Sequence, residues 1–294
     1  MKTLAKQIKR IGLLGNAAKP GFSSLVRKAA RLISRNGRVP LTDDVTAKAA
    51  GLEPSTSPTA AALSRASDLL LVFGGDGTML RVARETAGSR TPILGINIGG
   101  LGFLTAVPSA ELPRALHHVW NGEFTVERRA LIQAAGRCYG RWIRQVALND
   151  FVIIRGPTPR LIELEVTVDS QLLTRYRCDG LIVSSPTGST AYSLAAGGAI
   201  VSPTADVFTL TPICPHTLSN RSVILSLDST IRVKVVNPRP STVLSADGQV
   251  LNELAEGDVI TIRRSRNTIR LMHLASTSFF ETLRRKLHWR GANV

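Results

Sequence analysis

Residues 69–78 of this 294-residue chain read Leu-Leu-Leu-Val-Phe-Gly-Gly-Asp-Gly-Thr, an apolar run ending in three glycines around one aspartate. Glycine lets a backbone turn tightly and approach a ligand closely, because no Cβ stands in the way. Asp76 sits in the middle of the turn, where its carboxylate projects toward whatever the turn contacts. The chain reads as helical from Thr78, which sets the turn at a helix N-terminus whose unpaired N–H groups favour anions. A carboxylate beside a phosphate cradle suits phosphoryl transfer to a hydroxyl, with Asp76 taking the proton. The same residues also make an ordinary strand-to-helix turn with Asp76 as a local cap.

A second constellation spans residues 177–192, Arg-Cys-Asp-Gly-Leu-Ile-Val-Ser-Ser-Pro-Thr-Gly-Ser-Thr-Ala-Tyr. A strand over 181–184 is bracketed by Asp179-Gly180 and a turn of small hydroxyl residues, and Tyr192 opens a short helix through Ala195. Thr187, Ser189 and Thr190 supply donors and acceptors, and Tyr192 an aromatic face with a polar tip suited to a base or ribose. A Ser/Thr-rich turn capping a helix reads the same way. Asn149-Asp150, expected at the end of a strand, pairs an amide with a carboxylate able to hold hydroxyl or amino groups. Of the histidines, only His216 is near other candidates. His117 and His118 fall on an exposed helix, His288 near the tail, and His273 in a strand where a structural role is expected. No G-x-x-x-x-G-K-[ST], no G-x-G-x-x-G after the first strand and no kinase H-R-D or D-F-G set is present.

Alternating elements position these residues. A strand over 10–14 precedes a Gly/Pro loop through Gly21. A helix follows, capped by Ser23 or Ser24, with Leu25, Ala29 and Leu32 on one face and Gly37 at its end. A Ser/Thr/Pro-rich loop over 53–59 leads to the buried-type strand 69–73. Residues 92–97 form another such strand and 112–120 a helix, an alternation that implies a doubly wound parallel sheet. Past residue 125 the period falls to two. Ile162, Leu164, Val166 and Val168 alternate with polar neighbours, as do 231–235 and 259–262. Runs 131–135, 143–154 and 268–274 are further strands, with turns at Asp247-Gly248 and Glu256-Gly257-Asp258. Ser278 and Glu281 form a capping box for a last helix striped by Phe279, Leu283 and Leu287.

The net charge of +16, from 37 basic and 21 acidic residues, favours polyanionic partners: nucleotides, nucleic acid or an anionic membrane. The basic clusters at 263–266 and 284–286 read as solvated faces, and 5% aromatic content argues against stacking platforms for single strands. No apolar run approaches the ~18 residues of a membrane helix. The apolar stretch 11–15 behind the basic N-terminus is shorter than a signal-peptide core of roughly 7–15 residues. Cys138, Cys178 and Cys214 form no metal or disulfide pattern, which points to the reduced cytosol.

Together these pieces resemble NAD kinases. Gly74-Gly75-Asp76-Gly77-Thr78, residues 94–105 (Leu-Gly-Ile-Asn-Ile-Gly-Gly-Leu-Gly-Phe-Leu-Thr), Asn149-Asp150, residues 179–192 and Ala246-Asp-Gly-Gln249 occur in that family's order, from about residue 10 to 290. The glycine–aspartate turn is shared with the wider superfamily of diacylglycerol and sphingosine kinases and, more distantly, phosphofructokinases. The 179–192 stretch is more specific. The resemblance implies transfer of phosphate from ATP with Mg2+, or from polyphosphate, to the 2′-hydroxyl of the adenosine ribose of NAD. By resemblance Asp76 is the proton acceptor and, with Gly77, an NAD contact, while Gly74, Gly75, Gly77 and Thr78 form the phosphate-donor loop. Arg81, Arg160 and Arg177 stand where family members place substrate contacts near phosphates. Asn149 and Asp150 resemble the pair holding the adenosine part, and Asp179 a contact to the nicotinamide end. Thr190, Ala191, Tyr192, Ser193, Leu194 and Ala195 match the base-binding segment and Gln249 a late contact.

Two departures stand out: the family usually has Glu at Asp150, and a common Ser is Ala195 here. The implied architecture is a Rossmann-like α/β domain over 1–125 joined by a C-terminal helix of 276–294, and a β-rich, sandwich-like NAD-binding domain over 126–275. The implied assembly is a homodimer or homotetramer, cytoplasmic, without nucleic-acid or membrane partners. A lipid kinase of the same superfamily and a non-catalytic nucleotide or nucleic-acid binding protein are the alternatives.

Overall fold

The structure, a computed structural model, describes residues 2–53, 55, 57–100, 102–105, 107–157, 160–216, 221–237, 241–275 and 278–289. Pro54 and Thr56 of the expected Ser/Thr/Pro loop, Leu101 of the 94–105 segment, residues 217–220 beside His216, and 276, 277 and 290–294 of the expected terminal segment lie outside them. The chain divides into two units, Met1–Arg128 with Ile269–Val294, and Arg129–Thr268.

The first unit runs α1 (Lys2–Gln7), β1 (Arg10–Gly15), α2 (Phe22–Arg35), β2 (Val39–Thr42), α3 (Asp44–Ala50), α4 (Ala60–Ala66), β3 (Leu69–Gly74), α5 (Asp76–Glu85), β4 (Ile93–Asn97), β5 (Val107–Pro108) and α6 (Leu112–Asn121). The strands lie parallel in the order β2-β1-β3-β4-β5. Every residue of β3 and β4 is buried, as continuous apolar strands covered on both faces require. Ile11, Leu13, Leu71, Phe73, Leu94 and Ile96 pack with Val26, Ala29 and Ile33 of α2 and Leu116 and Val119 of α6.

Helix α2 begins at Phe22 behind a left-handed Gly21 (φ 80°), not behind a serine cap. Ser23 Oγ instead donates to the Ala49 carbonyl and Ser24 Oγ to that of Gly21. Asn36, not Gly37, is the C-cap.

The second unit is antiparallel. It comprises β6 (Phe124–Cys138), β7 (Arg141–Ala147), β8 (Asp150–Arg155), β9 (Ile162–Val168), β10 (Gln171–Cys178), β11 (Gly180–Ser184), a 3-10 turn (Thr187–Thr190), α7 (Tyr192–Ala195), β12 (Val207–Ile213), β13 (Val223–Ser226), β14 (Ile231–Asn237), β15 (Thr242–Ala246), β16 (Gln249–Leu254) and β17 (Val259–Leu274). One sheet is ordered β13-β12-β11-β8-β15-β16, and facing strands run β10-β9-β14-β17 with β6 and β7. The alternating apolar residues of both layers, Phe151, Ile153, Leu181, Val183 and Leu244 against Leu164, Val166, Ile231, Val233 and Ile260, share one core. The start of β6 and the end of β17 belong to the first unit, where Leu271 pairs in parallel with Ile93. Helix α8 (Phe279–Leu287) is grouped there too, capped by Ser278 Oγ, which accepts the Glu281 N–H at 3.1 Å. Among the described residues no helix is long and apolar enough to cross a membrane.

Candidate active site

In the first unit the strands β1, β3 and β4 end together at Gly15, Gly74 and Asn97, the carboxyl edge at which open α/β sheets bind ligands. The turn after β3 is tight because Gly74 lets Thr78 fold back: a Cβ there would lie 2.3 Å from Thr78 Oγ1. Gly75 is the N-cap, and α5 begins at Asp76, two residues earlier than its sequence pattern indicates. At Gly75 and Gly77 an added Cβ would meet nothing within 4 Å. Neither has a positive φ, so the fold itself does not demand glycine at either place. The surface they leave bare lies on the first turn of a ten-residue helix, where N–H groups point outward.

The Asp76 carboxylate folds onto residues 102–105. Its Oδ2 accepts the Phe103 N–H at 2.8 Å, and Oδ1 accepts the N–H of Leu104 at 3.0 Å and of Thr105 at 3.2 Å, with the Thr105 hydroxyl also at 3.2 Å. Gly102 makes this possible, since a Cβ there would sit 2.0 Å from Oδ1. Asp76 is thus held by a neighbouring loop rather than acting as a cap of its own helix. Arg81 reaches across to the Gly15 carbonyl at 3.0 Å and forms an i, i+4 pair with Glu85.

In the second unit Asn149 and Asp150 stand at the start of β8, not at the end of a strand as the sequence pattern indicates; the apolar run 143–154 is broken at 148–149. The break is held by Asp247, a turn residue at φ 48°, whose carboxylate accepts the N–H groups of Leu148 (3.2 Å), Asn149 (2.8 Å) and Asp150 (3.4 Å). From the other side the Asn149 carbonyl accepts the Ser185 N–H, and Gly188 fits only as glycine, its Cβ position lying 2.3 Å from that carbonyl. Asp150 pairs with Ser184 across β8 and β11, and Ala246 with Gln249 at the adjoining turn. Asn149, Asp150, the 187–195 segment and Gln249 therefore gather at one end of the sheet. Asp150 is 3% exposed; burial, and secondarily the Asp247 charge, push its carboxyl up to about 7.

Within the 190–195 segment the side chains diverge. Thr190 Oγ1 donates to the Thr187 carbonyl, and Tyr192 and Ala195 are exposed, with Ala191 and Leu194 half-buried. Ser193 is fully buried and its hydroxyl bonds Thr211 at 3.0 Å, so any ligand contact it makes goes through its backbone. Gln249 is exposed.

Asp179, Arg177 and His216 gather at the opposite end of β8 and β11. Asp179 pairs with Arg155, the last residue of β8, at 2.6 Å, and its N–H donates to Ile213. Arg177 is exposed and its carbonyl accepts the His216 N–H, which sets His216 in this second group; Arg160 is exposed and outside any strand. Five residue steps along β8 separate the two groups by ~16 Å. Asn97, Gly102 and Thr105 lie in the 94–105 segment and Asp247 in the 246–249 segment that carry the family resemblance, but none was assigned a role of its own. Only the positive-φ Asp-Gly turn at 247–248 carried a local signal.

The model for the ATP-NAD kinase N-terminal domain matches residues 11–124, and that for the ATP-NAD kinase C-terminal domain matches 148–274. The NAD kinase of Moorella thermoacetica is 43% identical over 97% of this chain and 91% of its own length. That of Methylibium petroleiphilum is 38% identical over 97% and 96%. Among solved structures, yeast NADH kinase complexed with NADH superposes with a TM-score of 0.87 at 26% identity, covering 98% of this chain and 89% of its own. An Archaeoglobus fulgidus NAD kinase in complex with ATP gives 0.74 at 25%, covering 96% and 100%. Both halves of the sequence, in order and over nearly its full length, place this chain in the NAD kinase family.

Proposed function

We propose that the chain transfers the γ-phosphoryl group of ATP to the 2′-hydroxyl of the adenosine ribose of NAD, forming NADP, with Asp76 receiving the hydroxyl's proton. The observation that carries this reading is the turn after β3: a carboxylate fixed next to a helix N-terminus whose first residues are glycines that the fold does not itself require. Close approach of phosphate oxygens to bare backbone N–H groups is what such glycines permit. The family membership supports the substrates, since one relative is seen with NADH and another with ATP.

Gly74, Gly75, Gly77 and Thr78 are the donor-phosphate loop, and Arg81, anchored at the end of β1, adds positive charge there. Asn149, Asp150, residues 190–195 and Gln249 receive the adenosine part, and Asp179, Arg177, Arg160 and His216 the far part of the dinucleotide. The two groups at opposite ends of β8 suit the two ends of an elongated ligand, in a homodimer or homotetramer where one copy's far group can also serve its neighbour. Among the described residues no cluster of three or more His, Cys, Asp or Glu side chains could hold a metal. Mg2+ would enter on the ATP phosphates, as it commonly does, and neutralise their charge. Positioning and charge neutralisation carry most of such a reaction, and proton removal typically adds 10²–10⁴-fold. The three free cysteines suit the reduced cytoplasm.

The test is NADP formation from NAD, Mg2+ and either ATP or polyphosphate, read through an NADP-specific dehydrogenase. Asp76→Asn should retain NAD binding and lose at least about a hundredfold in turnover. Near-normal turnover in that variant would remove Asp76 as the base.

A further inference from the structure

Asp76 does not meet its loop evenly. A carboxylate oxygen offers about two lone-pair sites. Oδ1 faces three donors, the N–H groups of Leu104 and Thr105 and the Thr105 hydroxyl, whereas Oδ2 faces one, the Phe103 N–H. Among the described residues, Oδ1 is therefore filled and Oδ2 keeps an open acceptor site.

The Thr105 hydroxyl owes its direction to Asn97. The Asn97 amide nitrogen donates to Thr105 Oγ1 at 2.9 Å and to the carbonyls of Gly100 at 2.7 Å and Thr105 at 3.3 Å. Those two carbonyls fix which end of the amide faces the loop. With its oxygen accepting from Asn97, Thr105 has its single proton left to give to Asp76. Thr105 is wholly buried and Asn97 4% exposed. The orientation is kept although Asn97 Oδ1 has no partner among the described residues, an arrangement that ordinarily opposes folding.

We propose that Thr105, oriented by Asn97, is a positioning residue whose hydroxyl joins the two N–H groups on Asp76 Oδ1 and so completes the assignment of Oδ2 as the atom that takes the proton. This rests on the reading of Asp76 given above. In the step itself the ribose O–H bond breaks and its proton passes to Oδ2. The oxygen's electron pair forms the bond to the γ-phosphorus, and the bond from that phosphorus to the β–γ bridging oxygen breaks with its pair leaving on ADP. Without the hydroxyl the three N–H groups still hold the carboxylate, but with one donor fewer on the Oδ1 side to resist its turning, and a misplacement of 1 Å costs on the order of a hundredfold in rate.

The experiment is steady-state kinetics of the full chain with NAD and ATP. Thr105→Val keeps the volume and removes the hydroxyl. It should lower kcat about tenfold or more with KM for NAD within about threefold, and Thr105→Ser should restore kcat to within about threefold of the parent chain. In the Asp76→Asn background, Thr105→Val should change kcat by less than about twofold, since the hydroxyl would have no base to position. Three results overturn the proposal: kcat within twofold for Thr105→Val, a Thr105→Ser variant as slow as Thr105→Val, or an equal loss from Thr105→Val with and without Asp76. Should Thr105→Val not fold, Thr105→Ala against Thr105→Ser makes the same comparison. Near-normal turnover of Asp76→Asn alone would instead refute the reading of Asp76, and the proposal with it.

Discussion

Asp150 is the group whose removal gives the sharpest test of the structure, because its effect is absent at low pH and grows as pH rises. Its carboxyl is 3% exposed and raised from an ordinary 3.8 to about 7, first by burial and then by the Asp247 charge. Below pH ~4 folded and unfolded chains both hold the proton, and Asp150 costs nothing. Between ~4 and ~7 the unfolded chain ionises while the folded one does not, so stability falls as pH rises. Above pH ~7 the whole penalty is present. At 1.36 kcal/mol per pH unit the gap is worth roughly 4 kcal/mol, which relaxation and water entry reduce to about 2–4.

Asp150→Asn keeps the shape and removes the charge. The ligand-free variant should match the parent chain near pH ~3 and be about 2–4 kcal/mol more stable at pH ~8. Urea unfolding across that range, followed by circular dichroism and by intrinsic fluorescence, reads the difference, from which titrations common to both proteins cancel. Parallel stability curves at all pH values would refute the argument. They would mean that Asp150 is ionised in the folded chain and that its surroundings are wet.

The glycines give a second contrast. Gly77→Ala, whose methyl meets nothing within 4 Å, should leave thermal stability unchanged or raise it by about 0.4–1 kcal/mol while raising KM for ATP about tenfold or more. Gly102→Ala, whose methyl would lie 2.0 Å from Asp76 Oδ1, should lose about 1–3 kcal/mol of stability and much of kcat. An unaltered KM in the first variant would show that the donor phosphates do not approach Gly77. Burial raises the thiols of Cys138 to about 11 and Cys178 to about 12, whereas Cys214 is exposed. A thiol reagent at pH 8 should therefore titrate one thiol in the native chain and three after unfolding, a count made by absorbance.

The elements with strong periodicity were legible from the sequence, and the short ones without a period were not. The buried runs of β3 and β4, the alternation in β9, β14 and the first half of β17, and the Ser278 cap of α8 follow directly from residue type. Helices α3 and α4 are seven residues each and too short to display a period; they start where Asp43 accepts the Thr46 N–H and Thr59 that of Ala62. The start of α2 escaped because a left-handed glycine did the work expected of a serine. At the site, Asp76 stood out as a carboxylate within a glycine turn, whereas Asn149 and Asp150 took their meaning from the family resemblance. Asp247 lies about a hundred residues from the three N–H groups it holds, and no local pattern links them.

The two kinds of glycine around Asp76 separate what the fold needs from what a ligand needs. Gly74 and Gly102 are required by the chain's own atoms, one by Thr78 and the other by the carboxylate itself. Gly75 and Gly77 have neither a close neighbour nor a left-handed backbone, so no steric need of the chain calls for glycine there and the space they leave is open to a ligand. That distinction makes the turn a candidate phosphate site and not merely a sharp corner. It also explains the clasp over Asp76. A carboxylate next to a surface suited to phosphates would be repelled by them, and the N–H donors of Phe103, Leu104 and Thr105 offset that repulsion by spreading its charge.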